Sequence, residues 1–239
     1  MRTRVGMITP SLNTVVEPIT YGMLVNLPEI TVHFTRVSVT SVSLDEQSDA
    51  QFAEQPMIDA ANLLIDAKVD VICWNGTSGG WRGLKEDADL CAAVSDAVNV
   101  PVTSASQAIV SAFKQSEVTR YGLVTPYFGD MQNQIISNYS NMGFECVGEA
   151  HLNHSDGFSY AGIDEKVWAL NIKRVAESKP QAITTMCTNI DCARLAHDLE
   201  KETGVLLIDS VSATLWAALK LAGIDPSLVR SWGDIFRLN

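Results

Sequence analysis

Apolar residues fall along this chain in short, nearly unbroken runs, separated by longer stretches in which they recur every three or four positions. The runs read as strands buried on both faces, and the periodic stretches as the helices that cover them. Strands are predicted over residues 4–9, 31–37, 69–74 and 100–103, then over 121–124, 144–150, 181–186 and 205–208. Helices are predicted over 15–26, 51–68, 85–98 and 104–116, then over 131–142, 164–178, 191–202 and 211–222. Pro56 argues for a later start of the 51–68 helix, and Ser104 is placed to cap the helix after it. Strict alternation of strand and helix predicts parallel sheets with helices on both faces.

The pattern runs twice. Asp70 to Ser78 aligns with Gln181 to Asn189, so that Gly76 falls on Cys187 and Thr77 on Thr188, an offset of 111 residues. Each segment follows an amphipathic helix ending in lysine, Lys68 or Lys179, and breaks into a small polar loop. Val5 to Ser11 matches Tyr121 to Tyr127 at an offset of 116, sharing Gly, two apolar residues, Thr and Pro. Val102 to Ser106 and its helix match Ile208 to Ser212 and its helix at 106. Three collinear matches with a small drift are what a duplicated half with short deletions leaves. The expected fold is therefore α/β, with two Rossmann-like domains related by a pseudo-two-fold axis. Each holds a parallel four-stranded sheet, one from residues 1–103 plus 211–239 and the other from 104–210. Ligands of open parallel sheets bind at the carboxyl ends of the strands. The loops 10–14, 76–80, 125–127 and 187–189 all lie at such ends and can meet in one cleft, Gly76 opposite Cys187.

Composition narrows the partners. Seventeen basic against 28 acidic residues give a net charge of −11, which repels nucleic acid and anionic membrane surfaces. No apolar stretch reaches the 18 or so residues that a spanning helix needs. Met1-Arg2-Thr3-Arg4 leads straight into the first strand without a secretion signal, and five cysteines are an odd number, so reduced thiols and a cytoplasmic protein are expected. Cys73, Cys91 and Cys146 sit within apolar patterns and read as core. Cys192 has no Cys-x-x-Cys or clustered histidine beside it, so no metal site is expected. His151, His154 and His197 read as loop or surface residues, and Arg82 and Arg194 as solvated helix positions. Neither GxxxxGK[ST] nor GxGxxG occurs, which argues against nucleotides.

The loops resemble those of the aspartate/glutamate racemase superfamily, cofactor-independent enzymes of two similar α/β domains with a cysteine on each side of the substrate. The resemblance covers nearly the whole chain and lies in short motifs in the same order. Pro10-Ser11-Leu12-Asn13-Thr14 is similar to the Pro-Ser-Ser-Asn-Thr loop of maleate cis-trans isomerases, which implies that Asn13 binds a substrate carboxylate. Gly76-Thr77-Ser78 is similar instead to arylmalonate decarboxylase, which has Gly-Thr-Ser where its relatives keep a cysteine. Tyr127 falls where both subgroups place a carboxylate-binding tyrosine, and Cys187-Thr188-Asn189 matches the second cysteine loop. At Ser155-Asp156-Gly157-Phe158 the chain departs from the isomerases, with Gly157 in place of an asparagine.

Chemistry separates these readings. Stereo-inverting racemisation uses two opposed thiols, and the isomerases use a thiolate at the first position; Gly76 supplies neither. One thiol facing a planar enediolate can still protonate it, completing a decarboxylation. The resemblance then implies a cofactor-independent decarboxylase of a 2-substituted malonate, with Cys187 and Gly76 at the reacting carbon. Thr77, Ser78, Tyr127 and the backbone N–H groups of Thr188 and Asn189 would hold the retained carboxylate. An unperturbed cysteine near pKa 8.5 is already a thiol at neutral pH. A maleate isomerase or one-cysteine racemase is the alternative, and a non-catalytic dicarboxylate-binding protein a third reading. The expected partner is a small dicarboxylate, without cofactor or metal; a homo-oligomer is left open.

Overall fold

A computed structural model describes residues 2–45, 48, 50–154 and 156–238. Strands β1 (Thr3–Pro10), β2 (Ile30–Val37), β3 (Val71–Trp74) and β4 (Val102–Ser104) form a parallel sheet in the order β2-β1-β3-β4. Strands β5 (Arg120–Thr125), β6 (Glu145–His151), β7 (Ala182–Thr185) and β8 (Leu206–Asp209) form a second one in the corresponding order β6-β5-β7-β8. The four residues of β3 and the four of β7 are buried without exception. A strand flanked by strands and covered on both faces has no position at which a polar alternation would help. The fold is thus α/β with two four-stranded parallel sheets, as the alternation predicts.

Two helices join the halves. Helix Ser210–Leu221 is apolar almost all round and buried along most of its length, the mark of a helix with no solvent face. It packs on helix Ala105–Gln115 and touches β3 and β4 as well as β8. From helix Ala105–Gln115, Phe113 reaches into the second half, with ring centroids 5.2 Å from Tyr121, 6.1 Å from Tyr139 and 5.2 Å from Phe144.

The duplication extends to the helix ends. Three helices of the first half are followed by left-handed residues at Lys68, Asn99 and Glu117, and their counterparts by Lys179, Gly204 and Gly223. Left-handed residues close helices by satisfying their last carbonyls.

Several helix limits differ from the sequence-based ones. The first runs over Val16–Met23 rather than to residue 26; residues 24–26 form a turn, closed by the Leu27 N–H donating to the Leu24 carbonyl at 2.9 Å. The helix predicted from 51 spans Glu54–Asp66. Pro56 lies in its first turn, where a missing N–H leaves no bond unmade. The helix predicted from 191 opens as a 3₁₀ turn, Ala193–Leu195, and becomes α-helical over Ala196–Thr203. No helix among the described residues is long and apolar enough to cross a membrane.

Candidate active site

The carboxyl ends of β1, β3, β5 and β7 open on one cavity with about 410 Å³ of empty space, its mouth included. Asn13, Gly76, Thr77, Ser78, Tyr127, Cys187, Thr188 and Asn189 all line it. All but Gly76 are polar, and these polar residues are nearly inaccessible to solvent. Asn13 turns the chain out of β1: its Oδ1 accepts the N–H groups of Val15 and Val16 at 2.9 and 3.0 Å, starting the helix that follows. Its Nδ2 donates to Thr188 Oγ1 at 3.1 Å, and the Thr188 hydroxyl donates in turn to the Asn75 carbonyl at 2.8 Å. Asn189 accepts the Thr14 N–H at 3.0 Å and donates to the Gly157 carbonyl at 2.7 Å. The side chains of Asn13, Thr188 and Asn189 therefore pin the two halves together beside the cavity. Capping and cavity lining coexist at Asn13.

Thr77 and Ser78 open a single helical turn, Gly79–Arg82, yet Ser78 makes no side-chain capping bond to it. Thr77 Oγ1 instead meets the Tyr127 hydroxyl at 3.1 Å across the cleft. Tyr127 is 3% exposed, held between Trp81 and Tyr160 at centroid distances of 5.4 and 5.9 Å. Burial raises its pKa well above the ordinary phenol value, so it stays a hydrogen-bond donor.

Cys187 is 6% exposed. Its N–H donates to Ser210 Oγ at 3.2 Å, and that hydroxyl donates to the Thr185 carbonyl at 2.7 Å, which fixes the loop at the end of β7. The Asn189 N–H donates to the sulfur at 3.4 Å. Burial pushes the thiol up to about 11; the Asn189 N–H and the Tyr127 hydroxyl pull it down, and Asp209 adds to the rise. The expectation of an unperturbed cysteine is thus corrected, since desolvation disfavours the thiolate. The expected anion-binding N–H of Asn189 is directed at this sulfur.

The apolar part of the cavity could not be named from sequence. It includes Leu12, Val39, Val42, Phe52, Trp74, Trp81 and Tyr160. Trp74 and Trp81 flank the Gly76 loop in the chain. Val39, Val42 and Phe52 come from the irregular connection after β2, where periodicity gives no guide. Gly157 lines the cavity too, while Ser155, quoted with it as a departure from the isomerases, lies outside the described residues.

The remaining candidates lie elsewhere. Arg82 stacks on Phe52 at 5.3 Å, and Arg194 pairs with Asp191 at 3.1 Å and stacks on Trp232. His151 contacts Glu149 at 2.9 Å. Cys73 and Cys91 are buried as expected, whereas Cys146, expected in the core as well, is only partly so; Cys192 is buried too. No group of His, Cys, Asp or Glu among the described residues could hold a metal ion.

Known proteins share this architecture. The chain is 24% identical to the arylmalonate decarboxylase of Bordetella bronchiseptica, over 97% of its own length and 95% of that protein. It is also 24% identical to the maleate isomerase of Geobacillus stearothermophilus, over 91% and 90%. Among solved structures, a maleate cis-trans isomerase of Nocardia farcinica superposes with a TM-score of 0.91 at 20% identity, all of both chains being covered. An arylmalonate decarboxylase superposes at 0.82 and 21% identity, over 99% of this chain and 100% of the other. Matched from residue 5 to residue 236, the chain belongs to the arylmalonate decarboxylase family, a family of enzymes whose relatives here are decarboxylases and isomerases.

Proposed function

We propose that the protein is a cofactor-independent decarboxylase of a 2-substituted malonate. The observation that carries this reading is that one buried thiol, Cys187, and a glycine, Gly76, line the same cavity as a set of neutral donors and apolar side chains. One carboxylate would lie against Leu12, Val39, Val42 and Phe52, where its charge is poorly solvated. Loss of carbon dioxide leaves the bonding pair on the α-carbon as an enediolate. Its oxygens would be held by the hydroxyls of Thr77, Ser78 and Tyr127 and by the backbone N–H of Thr188, donors that gain most where charge grows. The Cys187 Sγ–H then gives its proton to the α-carbon, and the thiolate recovers one from water. A thiol near 11 is suited to this step, because it is a proton donor throughout the neutral range.

Replacing Cys187 with alanine is expected to abolish turnover of 2-phenylmalonate while malonate still binds by calorimetry. Substantial residual turnover would remove Cys187 from the reaction.

The isomerase reading is favoured by the likeness to maleate isomerases in sequence and fold and by Asn13 and Cys187-Thr188-Asn189 in the cavity. Incubation with maleate, followed by proton NMR for fumarate, separates the two: appearance of fumarate at a rate above that of malonate decarboxylation would replace the proposal.

A further inference from the structure

Gly76 is bare, but the space beside it is filled. A β-carbon at Gly76 would overlap Cε2, Cζ2 and Nε1 of Trp74. The indole, the last side chain of β3, therefore covers the spot from which a side chain at 76 would project into the cavity. Trp74 is 3% exposed and packs edge-on against Phe52 at 6.4 Å. It lines the same cavity as Cys187, and its Nε1–H is buried without an acceptor among the described residues. A buried donor left unpaired pays its full desolvation with no return, and an indole nitrogen can only donate. Such a group beside a cavity is poised for an anionic oxygen.

We infer that Trp74 is a specificity-determining residue of this site. Its ring stands in for the absent side chain at 76, forming the wall across from the sulfur, and its Nε1–H donates to a carboxylate oxygen of the ligand. The inference rests on the reading of the cavity as a malonate site, and it adds a donor and a wall that the Gly-Thr-Ser loop does not supply.

Trp74→Phe keeps a ring and removes the N–H. Calorimetric titration with malonate is expected to give a Kd weaker by about ten-fold or more, the usual worth of a hydrogen bond to a charged group. An unchanged Kd in a variant that melts like the wild type, or a wild-type protein that binds no malonate, would overturn the inference. Should Trp74→Phe fail to fold, the wild-type protein labelled with ¹⁵N-tryptophan decides. One of its five indole N–H signals is expected to move downfield on malonate addition and to persist in Trp81→Phe; no movement, or its loss in Trp81→Phe, counts against Trp74. Turnover of 2-phenylmalonate is read separately. Malonate binding that depends on Trp74 without turnover sinks the decarboxylase reading alone, and turnover with Trp74-independent binding sinks this inference alone.

Discussion

At the scale of single residues, burial does the chemical tuning. Cys187 has no charged partner at hydrogen-bond distance, and removal from water holds its thiol up near 11. At pH 10 such a group is still ~90% protonated. If it is the proton donor, kcat for 2-phenylmalonate should show no alkaline fall between pH 7 and 9.5. A fall centred near 8.5 in stopped-assay rates would mean a solvated thiol or another acid. Cys187 and Gly76 were legible in the sequence because a repeat places them at equivalent positions. Trp74 was not, although it lies two residues from Gly76, because its importance comes from the ring folding back over that glycine, which the order of residues does not encode. For the same reason a thiol at position 76 cannot simply be added: Gly76→Cys must first displace the indole, so opposed-thiol chemistry would need Trp74 shortened as well.

At the scale of elements, the two halves solve the same problem with different residues. After the helices ending near 115 and 221, the chain turns left-handed at Glu117 in one half and at Gly223 in the other. Glycine adopts this conformation without strain, while any residue with a β-carbon pays for it. Glu117 is exposed, and its backbone bonds survive a change of side chain. Glu117→Gly should therefore stabilise the protein by about 0.5–1 kcal/mol, the relief of strain less the entropy of a freer unfolded chain, or roughly 1–4 °C in Tm. A lower melting temperature in differential scanning calorimetry would show that Glu117 earns its place in some other way. Strand and helix order was readable because uniformly apolar β3 and β7 leave no doubt about burial. Helix limits were less so, since the turn at residues 24–26 and the 3₁₀ start at Ala193 are matters of backbone geometry that periodicity does not register.

For the molecule as a whole, buried carboxyls set a pH dependence. Burial raises Asp209 to about 7, Glu200 to about 7 and Asp87 to about 6. In the unfolded chain such groups titrate near 4, so between these values the native state holds protons that the unfolded state has lost. Their contribution is full below about pH 4 and is lost as pH rises through about 7. Asp209→Asn, which resembles the protonated acid, should flatten the dependence of Tm on pH between 5 and 8; an unaltered slope would assign it elsewhere. The pinning of the halves also bears on traffic. Asn13, Asn75 and Thr14 of one half are tied to Thr188 and Asn189 of the other right beside the Cys187 sulfur. A molecule fastened at that seam does not part like a clamshell to admit its guest. The way in lies instead through the cavity's own wall, whose side chains include Val39, Val42 and Tyr160.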